Sequence, residues 1–62
     1  MNLELIATKR KELHFTQDEL SKILNIPLTS YRNIEKGNHL PNVVVALELC
    51  LILKLNPFEV WL

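Results

Sequence analysis

The stretch from Thr16 to Gly37, TQDELSKILNIPLTSYRNIEKG, constrains this chain more than any other. Thr16 and Glu19 form a T-x-x-E capping box, in which each side chain satisfies a free backbone N–H of the other residue at a helix start. Leu20, Ile23 and Leu24 follow at helical spacing and give that helix an apolar stripe. Asn25 stands at the stop, where a residue tolerant of left-handed backbone is needed. A second helix begins after Pro27, with Tyr31 and Ile34 as its inward stripe, and ends at Gly37. Its opposite side carries Leu28, Thr29, Arg32, Asn33 and Lys36.

Two short helices joined by a turn of three or four residues predict a helix-turn-helix, whose second helix fits the major groove of DNA. The flanking sequence supplies further helices. A first is expected from a cap at Asn2 to about Leu13, with Leu3, Ile6, Ala7, Arg10 and Leu13 on one face. Arg10 on an apolar stripe demands a carboxylate partner, because an unpaired buried charge is strongly destabilising. His14 closes this helix where Gly is usual, and Phe15 is placed to pack on Leu20 as a hydrophobic staple. After a polar connection from Asn38 to Pro41, Asn42 caps a fourth helix running from Val43 to about Leu53. Its inward stripe is expected at Val43, Ala46, Leu47, Cys50 and Leu53. Val44, Val45 and Leu51 then lie on or near its outer face, more apolar surface than a monomer needs. Asn56, Pro57 and Glu59 spell one more helix start, and the short helix ends in Val60, Trp61 and Leu62.

Length and composition narrow the classes. At 62 residues the chain has room for one domain, residues 1–62, and is marginal in stability by size. It is 48% hydrophobic with one Gly, which suits a compact helical domain and argues against disorder. One Cys makes no internal disulfide, and one Cys with two His makes no recognised zinc set, so no metal and no cofactor are expected. The apolar run Val43–Leu55 is 13 residues long and interrupted by Glu48 and Lys54, short of the roughly 20 a membrane span needs. The opening MNLELIATKRKE places its charges after its apolar residues, the reverse of a signal peptide. A soluble cytoplasmic protein is expected, in a bacterium or a phage-infected host cell. Net charge is zero, yet six of the seven Lys and Arg residues fall between Lys9 and Lys36, the half that holds the two-helix unit.

The run FTQDELSKILNIPLTSYRNIEKGNHLPN, followed by VVVALELCLILKLNPFEVW, resembles the xenobiotic-response-element (XRE) type of helix-turn-helix domain, which includes the small lambdoid phage repressors and Cro proteins. The resemblance covers roughly Leu5 to Trp61. Its most specific parts are Thr16-Gln17 with Glu19-Leu20, Ile34-Glu35 with Gly37, Pro41, and Leu53-Lys54-Leu55-Asn56. It implies an all-α fold, a compact five-helix bundle whose second and third helices form the DNA-reading unit. It also implies that Gln17 bonds a DNA phosphate and that Arg10 pairs with Glu35, the partner that Arg10 requires. Three features depart from the family pattern: Pro27 where the recognition helix usually has a Ser or Thr cap, His14 in place of Gly, and the low net charge.

The function implied is sequence-specific binding to double-stranded DNA by a transcriptional regulator, a repressor above all, with no reaction performed. Base contacts are expected from Leu28 and Thr29, with Arg32 and Asn33 one turn on. Arg bonds guanine and Asn bonds adenine in bidentate fashion, and Leu packs on a thymine methyl. Backbone contacts are expected from Thr16, Gln17, Ser30, Lys36, Asn38 and His39. Such domains act as homodimers on palindromic half-sites about one helical turn apart. The interface is expected among Leu40, Val44, Phe58, Trp61 and Leu62, although Trp61 is better placed to close the monomer core. No small-molecule effector is expected. The competing reading is a protein-interaction module, antitoxin-like or an adaptor, in which Thr29, Arg32 and Asn33 contact protein and DNA affinity is negligible. An enzyme is not expected, since no nucleophile with a nearby base, phosphate-binding Gly loop or metal set is present.

Overall fold

The computed structural model describes all 62 residues. It contains five helices and no strand: α1 (Glu4–Glu12), α2 (Gln17–Ile23), α3 (Leu28–Lys36), α4 (Val43–Leu53) and α5 (Pro57–Trp61). Local sequence sets most of the boundaries. The Glu19 backbone N–H donates to Thr16 Oγ1 at 3.0 Å while the Thr16 N–H donates to Glu19 Oε1 at 2.8 Å, completing the capping box of α2. Asn42 Oδ1 accepts from the Val45 N–H at 2.9 Å, and Asn56 Oδ1 from the Phe58 N–H at 2.9 Å, so α4 and α5 start as their caps dictate. Pro27 gives α3 an extended lead-in without a side-chain cap. Left-handed residues close four of the helices: His14 (φ 63°), Asn25 (φ 57°), Gly37 (φ 80°) and Lys54 (φ 58°). Three of these are not Gly, and each adopts a backbone that crowds its own Cβ.

The helix-turn-helix is held by α2 packed on α3, while α1 packs on α3 and α4, and α5 on α4. One contiguous core joins Ile6, Leu20, Leu24, Tyr31, Ile34, Val45, Leu49, Cys50, Leu53 and Val60. Phe15 packs against this cluster just before the α2 cap. The N- and C-terminal segments meet, with the Asn2 N–H donating to the Val60 carbonyl at 2.9 Å.

Three expectations are corrected. Asn2 does not cap α1; the cap position is Leu3, and the Asn2 N–H is drawn to Val60 instead. Ile23 is exposed, because the core facing α2 is filled by Leu20 and Leu24 together with the small Ser21. The α4 stripe is rotated: Val45 and Leu49 are buried with Cys50 and Leu53, while Val43 and Leu47 face outward. Ten of the eleven residues of α4 are apolar, so hydrophobic periodicity had no polar face from which to set the phase. Docking against α1 and α5 set it instead.

Candidate nucleic-acid interface

Helix α3 divides cleanly into two sides. Tyr31 and Ile34 are buried, whereas Thr29, Arg32 and Lys36 are exposed and Leu28, Ser30 and Asn33 half-buried. Three and four residues apart, Thr29, Arg32, Asn33 and Lys36 share one solvent-facing side. Arg32 and Lys36 form no salt bridge, so their charges are available to a ligand. Elsewhere on the surface Lys22 is paired with Asp18 (3.0 Å) and Lys9 with Glu12 (3.4 Å).

The acidic residue of α3 is turned inward. Glu35 Oε2 accepts from Arg10 Nε at 2.7 Å, and Glu35 Oε1 from Arg10 Nη2 at 3.3 Å. Arg10 Nη1 donates to the Phe15 carbonyl at 3.0 Å, tying the end of α1 to the entry of α2. The expected ion pair is therefore present, and it has two further members. The Tyr31 hydroxyl donates to Glu35 Oε2, and Gln17 Nε2 donates to Glu35 Oε1 at 3.1 Å. Burial pushes the Glu35 carboxyl up, but the bonds from Arg10, Tyr31 and Gln17 outweigh it, and the group sits below the ordinary carboxylate value. The bond to Glu35 holds Arg10 above its ordinary value. Burial, followed by the bond to Glu35, raises the Tyr31 phenol far beyond its ordinary range, so it remains a donor at any relevant pH. Sequence reasoning placed Tyr31 in the core and missed its hydroxyl; the i, i+4 spacing to Glu35 within α3 was the available clue.

The other expected backbone-contact residues flank α3. Thr16 is exposed at the α2 cap, and Asn38 and His39 are exposed in the loop that leaves α3. Ser30 and His39 line one shallow pocket with Pro27 and Asn42. The Asn38 N–H donates to the Asn33 carbonyl at 3.0 Å, so the loop closes against the last turn of α3.

Of the residues expected at a dimer interface, Leu40, Val44, Phe58 and Leu62 are exposed. Trp61 is half-buried against the core, and its indole N–H donates to the Ala46 carbonyl at 3.2 Å, locking α5 to α4. Phe58, Trp61 and Leu62 line an apolar groove together with Val43, Ala46 and Leu47. Val43 and Leu47 were assigned to the core from sequence and join this groove through the rotation of α4.

The family model described as Helix-turn-helix matches residues 6–60. The chain belongs to the XRE-type helix-turn-helix family. Within this family of DNA-binding regulators, the chain is similar to the "ImmF control region 10 kDa protein" of Bacillus phage phi105. The two are 35% identical over 52 residues, which cover 84% of this chain and 58% of the phage protein. The chain thus spans less than two thirds of that relative's length. No solved structure gives a significant match. The XRE-type family is not an enzyme family. No helix of this member is long and apolar enough to cross a membrane.

Proposed function

We propose that the protein is a sequence-specific DNA-binding transcriptional repressor that works as a homodimer on a palindromic operator, residues 1–62 forming its one DNA-reading domain. Helix α3 enters the major groove, where Arg32 and Asn33 bond base edges, Thr29 contacts the adjacent pair, and Leu28 packs on a thymine methyl. Lys36, Asn38, Thr16, Ser30 and His39 hold the phosphates on either side, with the first-turn backbone N–H of Gln17. The observation that carries this reading is the division of α3: its carboxylate is drawn inward by Arg10, leaving Arg32 and Lys36 outward without an acidic neighbour in contact. The similarity to a phage protein named for a control region supports a regulatory role. The dimer reading is supported by the exposed apolar face of α4 and α5, since a neutral chain with few phosphate contacts gains affinity by doubling them.

Selection of bound sequences from a random duplex pool tests the proposal, with an Arg32→Ala, Asn33→Ala variant run in parallel. A palindromic motif recovered by the wild type and relaxed in the variant is the expected result. No enrichment by either protein at low salt would overturn the DNA reading and leave the protein-interaction reading in its place.

A further inference from the structure

Helix α4 packs on α1 and α5 and leaves its remaining side to solvent. Val44, Leu47 and Leu51 stand on that side at three- and four-residue spacing, the pattern of a seam between paired helices. No large apolar side chain of the protein is more exposed than Leu51. Leu47 also lines the groove that holds Phe58, so seam and groove form one continuous apolar face. The segment from Leu40 to Leu62 holds only three charged side chains, Glu48, Lys54 and Glu59. Glu48 and Lys54 are exposed, form no salt bridge, and lie three residues before and three after Leu51. The seam is thus centred on one apolar residue with opposite charges at equal distances from it, the requirement for a surface that pairs with itself.

We infer that this side is covered by a second copy of the chain, in an antiparallel α4–α4 pair whose two-fold axis passes Leu51. This rests on the homodimer reading proposed above and names the axis and the contacts that fix it. About that axis each residue meets the one equally far beyond Leu51, so Glu48 of one protomer faces Lys54 of the partner subunit, twice over. Leu51 meets its own copy, and the seam is closed to water. Other registers are less favourable. An axis at Leu47 sets Glu48 against Ala46 and leaves its charge unmatched, while an axis at Glu48 sets two carboxylates together. A lipid surface suits this face poorly, because it calls for cations beside the apolar side and Lys54 is the only one in the segment.

The test is sedimentation equilibrium at low salt of Glu48→Lys, of Lys54→Glu and of an equimolar mixture of the two. Each variant alone sets like charges across the axis at both positions, and its dimer dissociation constant should rise about tenfold. In the mixture each chain meets its complement and both ion pairs return, so association should recover to within about threefold of the wild type. Changes in the stability of either chain alone cannot produce that recovery. Reversals without effect, or a mixture no better than its components, would overturn the inference and leave a homodimer joined elsewhere. If a reversal prevents folding, as circular dichroism would show, Leu51→Cys decides. A residue on the axis faces its own copy, so mild oxidation should link most of that variant as covalent dimers. Val44→Cys and the wild type, whose Cys50 is buried, should stay unlinked. Failure of Leu51→Cys to link, or equal linking of Val44→Cys, overturns the axis. If the wild type sediments as a monomer at about 1 mM, the homodimer reading falls and takes this inference with it. The DNA reading is then still judged by duplex selection.

Discussion

At the scale of single residues, Glu35 concentrates more consequence than any other side chain. The Arg10 and Glu35 side chains are only 11% and 8% exposed, so the pair is effectively buried. Removing one partner of a buried pair leaves the other uncompensated. Glu35→Gln is expected to cost about 3 kcal/mol at pH 7, measured by urea unfolding. The pH dependence follows from the direction of the shift. A carboxyl whose folded value is depressed stabilises the fold above its unfolded value and loses that contribution as pH falls through the folded value. The gap in stability between wild type and Glu35→Gln should therefore be full near neutrality and narrow steadily below the ordinary carboxylate value of 4.5. A gap that stays constant to pH 2 would show that the carboxylate charge is not what stabilises the site. His14 offers the opposite case. It is exposed and holds φ 63° with a Cβ that Gly would lack. His14→Gly should stabilise the protein by about 0.5–1 kcal/mol, the relief of left-handed crowding less the added entropy of an unfolded glycine. A fall in the urea midpoint would mean that the imidazole contributes more than its strain costs.

At the scale of elements, α3 and α4 illustrate two ways a helix meets solvent. Helix α3 has a polar outer side and an apolar inner one, and its two free cations differ in expected role. Arg32→Ala should weaken the selected duplex about tenfold or more and leave scrambled DNA nearly unchanged, as loss of a base contact does. Lys36→Ala should weaken both alike and reduce the slope of log affinity against log salt by about 1. Identical profiles for the two variants in filter binding across a salt series would refute this division. Helix α4 is apolar nearly all round, Glu48 being its one charged residue, and Leu51 stands 81% exposed. A helix of that composition is ordinarily covered on every side.

For the molecule as a whole, the apolar groove between α4 and α5 is the surface that a homodimer would bury. Phe58 is 71% exposed and takes no part in the core, so Phe58→Glu should leave the monomer folded while raising the dimer dissociation constant at least tenfold. Sedimentation equilibrium measures the change, with circular dichroism as the check on folding. The same variant should bind operator DNA with a shallower concentration dependence. Undiminished association would move the interface away from this face.

Much of the fold was legible in local sequence. The capping box at Thr16 and Glu19, the caps at Asn42 and Asn56, and the stops at Asn25 and Gly37 depend on bonds spanning a few residues, and they formed where the sequence placed them. The polar outer side of α3 was legible for the same reason, since amphipathic spacing states its own orientation. The Arg10–Glu35 partnership was legible as a need, because a cation on an apolar stripe must be matched. Local bonds and residue spacing thus set where helices start and stop and which way an amphipathic one faces. The rotation of α4, the capture of the Asn2 N–H by Val60, and the attachment of Gln17 and Tyr31 to one carboxylate arose on packing. Those outcomes depend on contacts between segments distant in the chain, and a uniformly apolar helix or a neutral amide has no local preference strong enough to announce them.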